Sequence, residues 1–65
     1  MNSSNIGPVE YDVAKREMIV TFRSGETYVY TGVDNAVYHE LLESPSPGGF
    51  FHRNIRKRYP YYRRQ

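Results

Sequence analysis

The chain has no cysteine, which excludes disulfides and thiolate metal sites. That absence matters at 65 residues. A domain of roughly 60 residues buries only about 60% of the surface its unfolded chain exposes, and disulfides, a metal or a partner chain are the usual aids. Long apolar runs are also missing: none approaches the ~20 residues that span a bilayer. Residues 1–6 are polar and lack the basic-then-apolar order of a secretion signal. The expectation is a soluble cytoplasmic protein with no membrane role. A third absence is local. Residues 45–65 contain six bases (Arg53, Arg56, Lys57, Arg58, Arg63, Arg64) and no acid, whereas residues 1–44 carry seven acids against three bases. The net charge of +2 therefore hides a −4 segment followed by a +6 segment, a polarity that points to an anionic partner.

What the chain does have is tyrosine. Seven of its residues are tyrosines, within a hydrophobic fraction of 38%. Each supplies an apolar ring and a hydroxyl that needs water or a partner. Val9, Tyr11 and Val13 alternate with polar residues, the period of a half-buried strand. A loose turn follows over residues 12–16. Met18, Val20 and Phe22 alternate again with strong β-propensity, Ser24-Gly25 marks a hairpin, and residues 26–31 make a third strand. Gly32 ends it. Asp34 then reads as a helix N-cap, with Val33 and Tyr38 spaced for a hydrophobic staple. Val37, Tyr38, Leu41 and Leu42 share one helical face, and Pro45 closes the helix. Ser46-Pro47 starts another. In that second helix Phe51, Ile55 and Tyr59 recur on one side, with Arg53, Arg56 and Lys57 on roughly the opposite side. Pro60 ends it.

The expected fold is α+β: a three-stranded antiparallel meander followed by two helices, packed as two layers in a single domain over residues 1–65. Residues 1–5 form a flexible lead and residues 61–65 a basic, aromatic tail. The expected core is Val9, Tyr11, Met18, Val20, Phe22, Val33, Val37, Leu41, Phe51 and Ile55, with Tyr28 and Tyr59.

The residues and spacings running from Ser4-Asn5-Ile6 and Tyr11-Asp12 through Met18-x-Val20-x-Phe22, Gly25 and Tyr28-x-Tyr30 continue to Val33, Tyr38 and Leu41. Ser46-x-Gly48, Phe50-Phe51, Ile55-Arg56 and Tyr59-Pro60-Tyr61 complete the series. Taken together, this order resembles the KTSC domain family, named for a segment at the C-terminus of some lysyl-tRNA synthetases and found also as small stand-alone proteins. The doubled Gly48-Gly49 reads as a local variation on that pattern. The resemblance implies RNA binding through association with a tRNA-handling enzyme.

The residues point the same way. Lysine and arginine neutralise phosphates, which drives most non-specific nucleic-acid affinity, while aromatic rings stack on bases of single strands. The candidate phosphate contacts are Arg53, Arg56, Lys57, Arg58, Arg63 and Arg64, with Tyr61 and Tyr62 for stacking. The bland alternative is a solvated helix face and a soluble tail, with Tyr59 in the core. Tyr28 and Tyr30 share one face of their strand and are either a stacking platform or core. A two-residue Ser24-Gly25 loop pairs Thr21 with Tyr28 and sets the tyrosines opposite Phe22; a three-residue loop with a bulge pairs Phe22 with Tyr28 and sets them on the same face. Ser46-Pro47-Gly48-Gly49 lacks the lysine and spacing of a phosphate-binding loop and reads as an inter-helix turn. His39 and His52 lack zinc-ligand spacing, so no metal or cofactor is expected. Glu10, Asp12 and Glu17 look like strand-edge and turn residues, and no triad motif appears, so the expectation is a non-enzymatic module. Besides RNA or another polyanion, the candidate partners are an acidic protein and a second copy of the chain, which the third strand would pair with as a sheet edge.

Overall fold

The computed structural model describes residues 6–64; the expected lead at residues 1–5 and the last residue of the expected tail lie outside them. Six elements follow in order: β1 (Ile6–Asp12), β2 (Glu17–Phe22), β3 (Thr27–Thr31), α1 (Asn35–Glu43), α2 (Pro47–Asn54) and β4 (Tyr61–Arg64). The α+β class is as expected, but the antiparallel sheet has four strands in the order β1-β2-β3-β4. The residues read as a tail are its fourth strand. They pair Tyr30 with Tyr61, Val29 with Tyr62, Tyr28 with Arg63 and Thr27 with Arg64. Thr31 N–H opens the pairing by donating to the Pro60 carbonyl at 2.9 Å. No apolar alternation marks this strand, because all four of its side chains are exposed; backbone pairing with the free edge of β3 sets its place, and the Tyr61 ring adds contacts to Tyr28 and Tyr30. Consequently β3 is an interior strand, not the sheet edge, and the edges are β1 and β4.

The β2–β3 hairpin fixes which way the tyrosines point. Phe22 N–H donates to the Glu26 carbonyl and Gly25 N–H to the Phe22 carbonyl, both at 2.8 Å. The loop is therefore the three residues Arg23, Ser24 and Gly25, with Gly25 at φ 98°, a conformation open to glycine at no steric cost. The resulting register sets Val20 against Tyr28 and Met18 against Tyr30. Neither of the pairings weighed for Tyr28 occurs. The parity is that of the three-residue loop, and Tyr28 and Tyr30 lie on the same face as Met18, Val20 and Phe22.

That face is the core. Met18, Val20, Tyr30, Val33, Leu41, Phe51 and Ile55 form one buried cluster, with Val9, Tyr11, Phe22, Tyr28, Val37 and Tyr59 packed against it. Two residues that continue the apolar spacing of β1 and α1 fall outside. Val13 sits 70% exposed in the β1–β2 turn, and Leu42 is 56% exposed because it lies one helical step beyond the buried Leu41. Ile6 joins the periphery along an irregular stretch of β1, where the register shifts between Ile6 and Val9. Gly7 lies there, and a Cβ on it would come within 2.8 Å of the Thr21 carbonyl oxygen, closer than such atoms approach.

Asp34 occupies the N-cap position of α1, but its carboxylate makes no cap hydrogen bond. It pairs with the Arg16 guanidinium. Arg16 stands at φ 56° in the β1–β2 turn, and its carbonyl accepts from Val33 N–H at 2.9 Å. These two contacts latch the turn to the loop that enters α1. The Tyr11 hydroxyl donates to the Val33 carbonyl in the same region, and its ring stacks on Tyr38 at 5.2 Å between centroids.

The second helix stops at Asn54, five residues short of the expected Tyr59. Both Ile55 N–H and Arg56 N–H donate to the Phe51 carbonyl at 3.0 Å, and Arg58 N–H donates to the Ile55 carbonyl at 3.1 Å. The chain thus leaves the helix through turns over residues 55–58 while Ile55 stays fully buried. A straight helix to Tyr59 would carry Pro60 away from β3, so the early turn is what lets β4 form.

Candidate nucleic-acid interface

Side chains alternate across a strand, and this divides the basic C-terminal residues between two faces. Tyr61 and Arg63 point to the helix side, together with Tyr28 and Tyr30 of β3, Glu26 just before it and Phe22 of β2. Tyr62 and Arg64 point to the other side, where Tyr62 stands opposite Val29 and Val29 opposite Ile19. On the helix side the aromatic rings close a circuit. Phe51 meets Tyr30 at 5.3 Å, Tyr30 meets Tyr61 at 5.2 Å and Tyr61 meets Tyr28 at 5.5 Å. Tyr28 then meets Phe22 at 5.4 Å, and Phe22 returns to Phe51 at 5.7 Å. All fall in the range where aromatic pairs attract beyond simple burial.

The circuit is half roofed. Phe51 of α2 covers Phe22 and Tyr30, and the Tyr28–Tyr61 half is left open as a cleft of about 490 Å3. Its floor is Phe22, Tyr28, Tyr30 and Tyr61; its rim carries Arg23 from the hairpin, Arg56 and Lys57 from the turn after α2, and, among the described residues, a single carboxylate, Glu26. Tyr61 is 55% exposed, so its ring is available to a ligand. Tyr30 is 2% exposed and serves the core, which removes it as a stacking surface; Tyr28 is intermediate.

Of the residues expected to bind, Arg56, Lys57, Tyr61 and Tyr28 are therefore brought together. Arg63 is on the same side but leans on Glu26 at 3.4 Å. Arg53 folds back over the start of α2, where a Cβ on Gly49 would lie 3.0 Å from its Nη1. Arg58 is exposed outside the cleft, and Tyr62 and Arg64 belong to the opposite face. Arg56 takes no strand carboxylate: its Nη1 lies 3.2 Å from Nδ1 of His52, while His39 sits against the Tyr38 ring. Arg23 and Glu26 were not among the expected site residues. Only the hairpin register places them, and that register follows from loop geometry, not from residue pattern.

Burial raises the Tyr30 hydroxyl above its usual value of 10.0; Arg56 opposes the shift, and the neighbouring Tyr61 and Tyr28 add to it. The unfolded chain releases this proton near pH 10, the folded chain only at higher pH. The stability contribution is thus fully present below about pH 10 and is lost as pH rises from there through the raised folded value. Between about pH 8 and pH 11, the urea midpoint of the wild type is expected to fall further than that of Tyr30→Phe. Equal falls would show that this hydroxyl is not desolvated.

No curated protein matches the chain. Among solved structures, the crystal structure of a KTSC domain protein from Yersinia pestis is similar to it at 28% identity with a TM-score of 0.91, covering 100% of this chain and 92% of that one. The family model of the KTSC domain matches residues 2–59, which spans β1 through the turn that carries Arg56 and Lys57. The chain belongs to the KTSC domain family.

Proposed function

We propose that this domain is a non-catalytic module that binds single-stranded nucleic acid, RNA foremost, in the cleft between the hairpin and the turn after α2. The observation that carries this reading is the pairing of an exposed Tyr61 ring with three cations, Arg23, Arg56 and Lys57, around one cleft. Single strands are held in this way, with cations along the phosphates and rings under the bases. Duplexes are disfavoured, because their bases are already stacked and paired. The family's association with a tRNA-handling enzyme supports RNA over DNA. The opposite face of β4, with Tyr62 50% exposed, supports a second reading as a protein-docking surface, in which binding would carry an apolar, salt-tolerant component.

The test is a titration of isotope-labelled protein with single-stranded RNA, duplex RNA and single-stranded DNA at low and moderate salt. Amide shifts centred on Arg23, Arg56, Lys57 and Tyr61 are expected, strongest with single-stranded RNA. Three phosphates neutralised on a single strand give a log–log salt slope of about −2. Shifts confined to Ile19, Val29 and Tyr62 would favour the docking surface, and a spectrum that no strand perturbs at low salt would overturn the nucleic-acid reading.

A further inference from the structure

A carboxylate inside a phosphate-binding cleft is a cost, since it repels the polyanion that the neighbouring cations attract. Glu26 occupies such a place, as the sole acid among the described residues around a rim of Arg23, Arg56 and Lys57. Its position is defined. Glu26, Tyr28 and Tyr30 stand at alternate positions on the cleft side of the same chain segment, so Glu26 is one side-chain station, ~7 Å, beyond Tyr28. Arg63 approaches Oε2 from the β4 side at 3.4 Å. An ionised carboxylate has about four acceptor sites, and this long contact uses one of them.

A base lying over Tyr28, whose ring adjoins Tyr61 at 5.5 Å and which stands one station from Glu26, would present its edge along the floor toward this carboxylate. The Watson–Crick edge of guanine carries two adjacent N–H donors, N1–H and the 2-amino group, which match the two oxygens of a carboxylate. Uracil offers one donor between two carbonyl acceptors. Adenine offers an amino group beside an acceptor nitrogen. In a duplex the guanine edge is already paired, so the match exists only in a single strand. We infer that the cleft selects an unpaired guanine, with Glu26 accepting from its N1–H and 2-amino group while Arg23, Arg56 and Lys57 hold the flanking phosphates. The inference rests on the nucleic-acid reading above and adds to it the base that is read.

The experiment compares short oligouridylates that carry at their centre guanosine, adenosine, inosine or uridine, measured by fluorescence anisotropy against the wild type and Glu26→Gln. One good bidentate contact discriminates bases by roughly 5- to 150-fold, and guanosine is expected to bind about tenfold tighter than uridine. Inosine, which lacks the 2-amino group, should lose most of that gain. Glu26→Gln should erase the guanosine preference and bind plain oligouridylate as well as the wild type or better, since a negative charge has gone. A residue that merely steadies Arg63 would not alter the ranking of bases. If guanosine and uridine bind alike, or if Glu26→Gln keeps the preference, the guanine inference fails while salt-dependent oligouridylate binding leaves the nucleic-acid reading standing. If no strand binds at low salt, both fail.

Discussion

Phe51→Ala is expected to unfold the domain. Phe51 is 1% exposed, sits on α2 and lies against both Phe22 and Tyr30, so it joins the helix layer to two strands at once. Truncating a buried phenylalanine to alanine costs about 3–5 kcal/mol, made up of lost transfer energy and the cavity left behind. A core of this size supplies about 3–5 kcal/mol in all, and no disulfide adds to it, since the chain has no cysteine. Thermal unfolding followed by circular dichroism should show no cooperative transition for the variant, and its amide spectrum should collapse. As a contrast, Leu42 is 56% exposed, and exposed positions of that kind usually change stability by less than about 0.5 kcal/mol. A Phe51→Ala protein that melted like the wild type would place the helix–sheet core elsewhere.

Elements whose side chains bury on one face were legible from residue pattern. β2 announces itself because Met18 and Val20 alternate with half-exposed neighbours, and α1 because Leu41 recurs at helical spacing with Val37. Elements fixed by backbone pairing were not. β4 contains two tyrosines and two arginines, all exposed, and carries no period that separates a strand from a tail; its existence depends on β3 having an edge to satisfy. The end of α2 was hidden for a related reason. Tyr59 continues the helical spacing of Phe51 and Ile55, and it still reaches the core periphery, but by a turn and not by a further helical turn.

The candidate site divides along the same line. Arg56, Lys57 and Tyr61 could be named from charge and aromatic content, because the basic third of the chain is conspicuous in composition. Arg23 and Glu26 lie in the acidic segment, and nothing in their neighbours marks them. They reach the cleft through a three-residue loop whose length decides the side each strand residue faces. A composition-based reading also leaves the two faces unseparated. It groups Tyr61 with Tyr62 and Arg63 with Arg64, although consecutive strand residues point to opposite faces. It also groups Arg53 with the cleft cations, although that side chain lies over Gly49 at the start of α2.

Removing two of the three rim cations gives the largest binding effect expected. In Arg56→Ala/Lys57→Ala, each lost phosphate contact to a single strand removes ~0.7 from the salt slope, so the pair flattens it by ~1.4. With equal binding of the two proteins at ~1 M salt, where the electrostatic contribution vanishes, the affinity loss is about 60-fold at ~50 mM and about tenfold at ~200 mM. Both side chains are exposed, and the His52 contact of Arg56 is itself on the surface, so the variant should fold with a melting curve close to the wild type. Arg64→Ala separates the faces. Arg64 carries the same charge but points away from the cleft, so its loss should reduce affinity far less at ~50 mM salt. Because Arg64→Ala removes one charge and the double variant two, an Arg64→Ala loss half as large as the double's on the log scale would mean that the strand responds to overall charge and not to the cleft. A double variant that bound with the wild-type slope would remove Arg56 and Lys57 from the interface altogether.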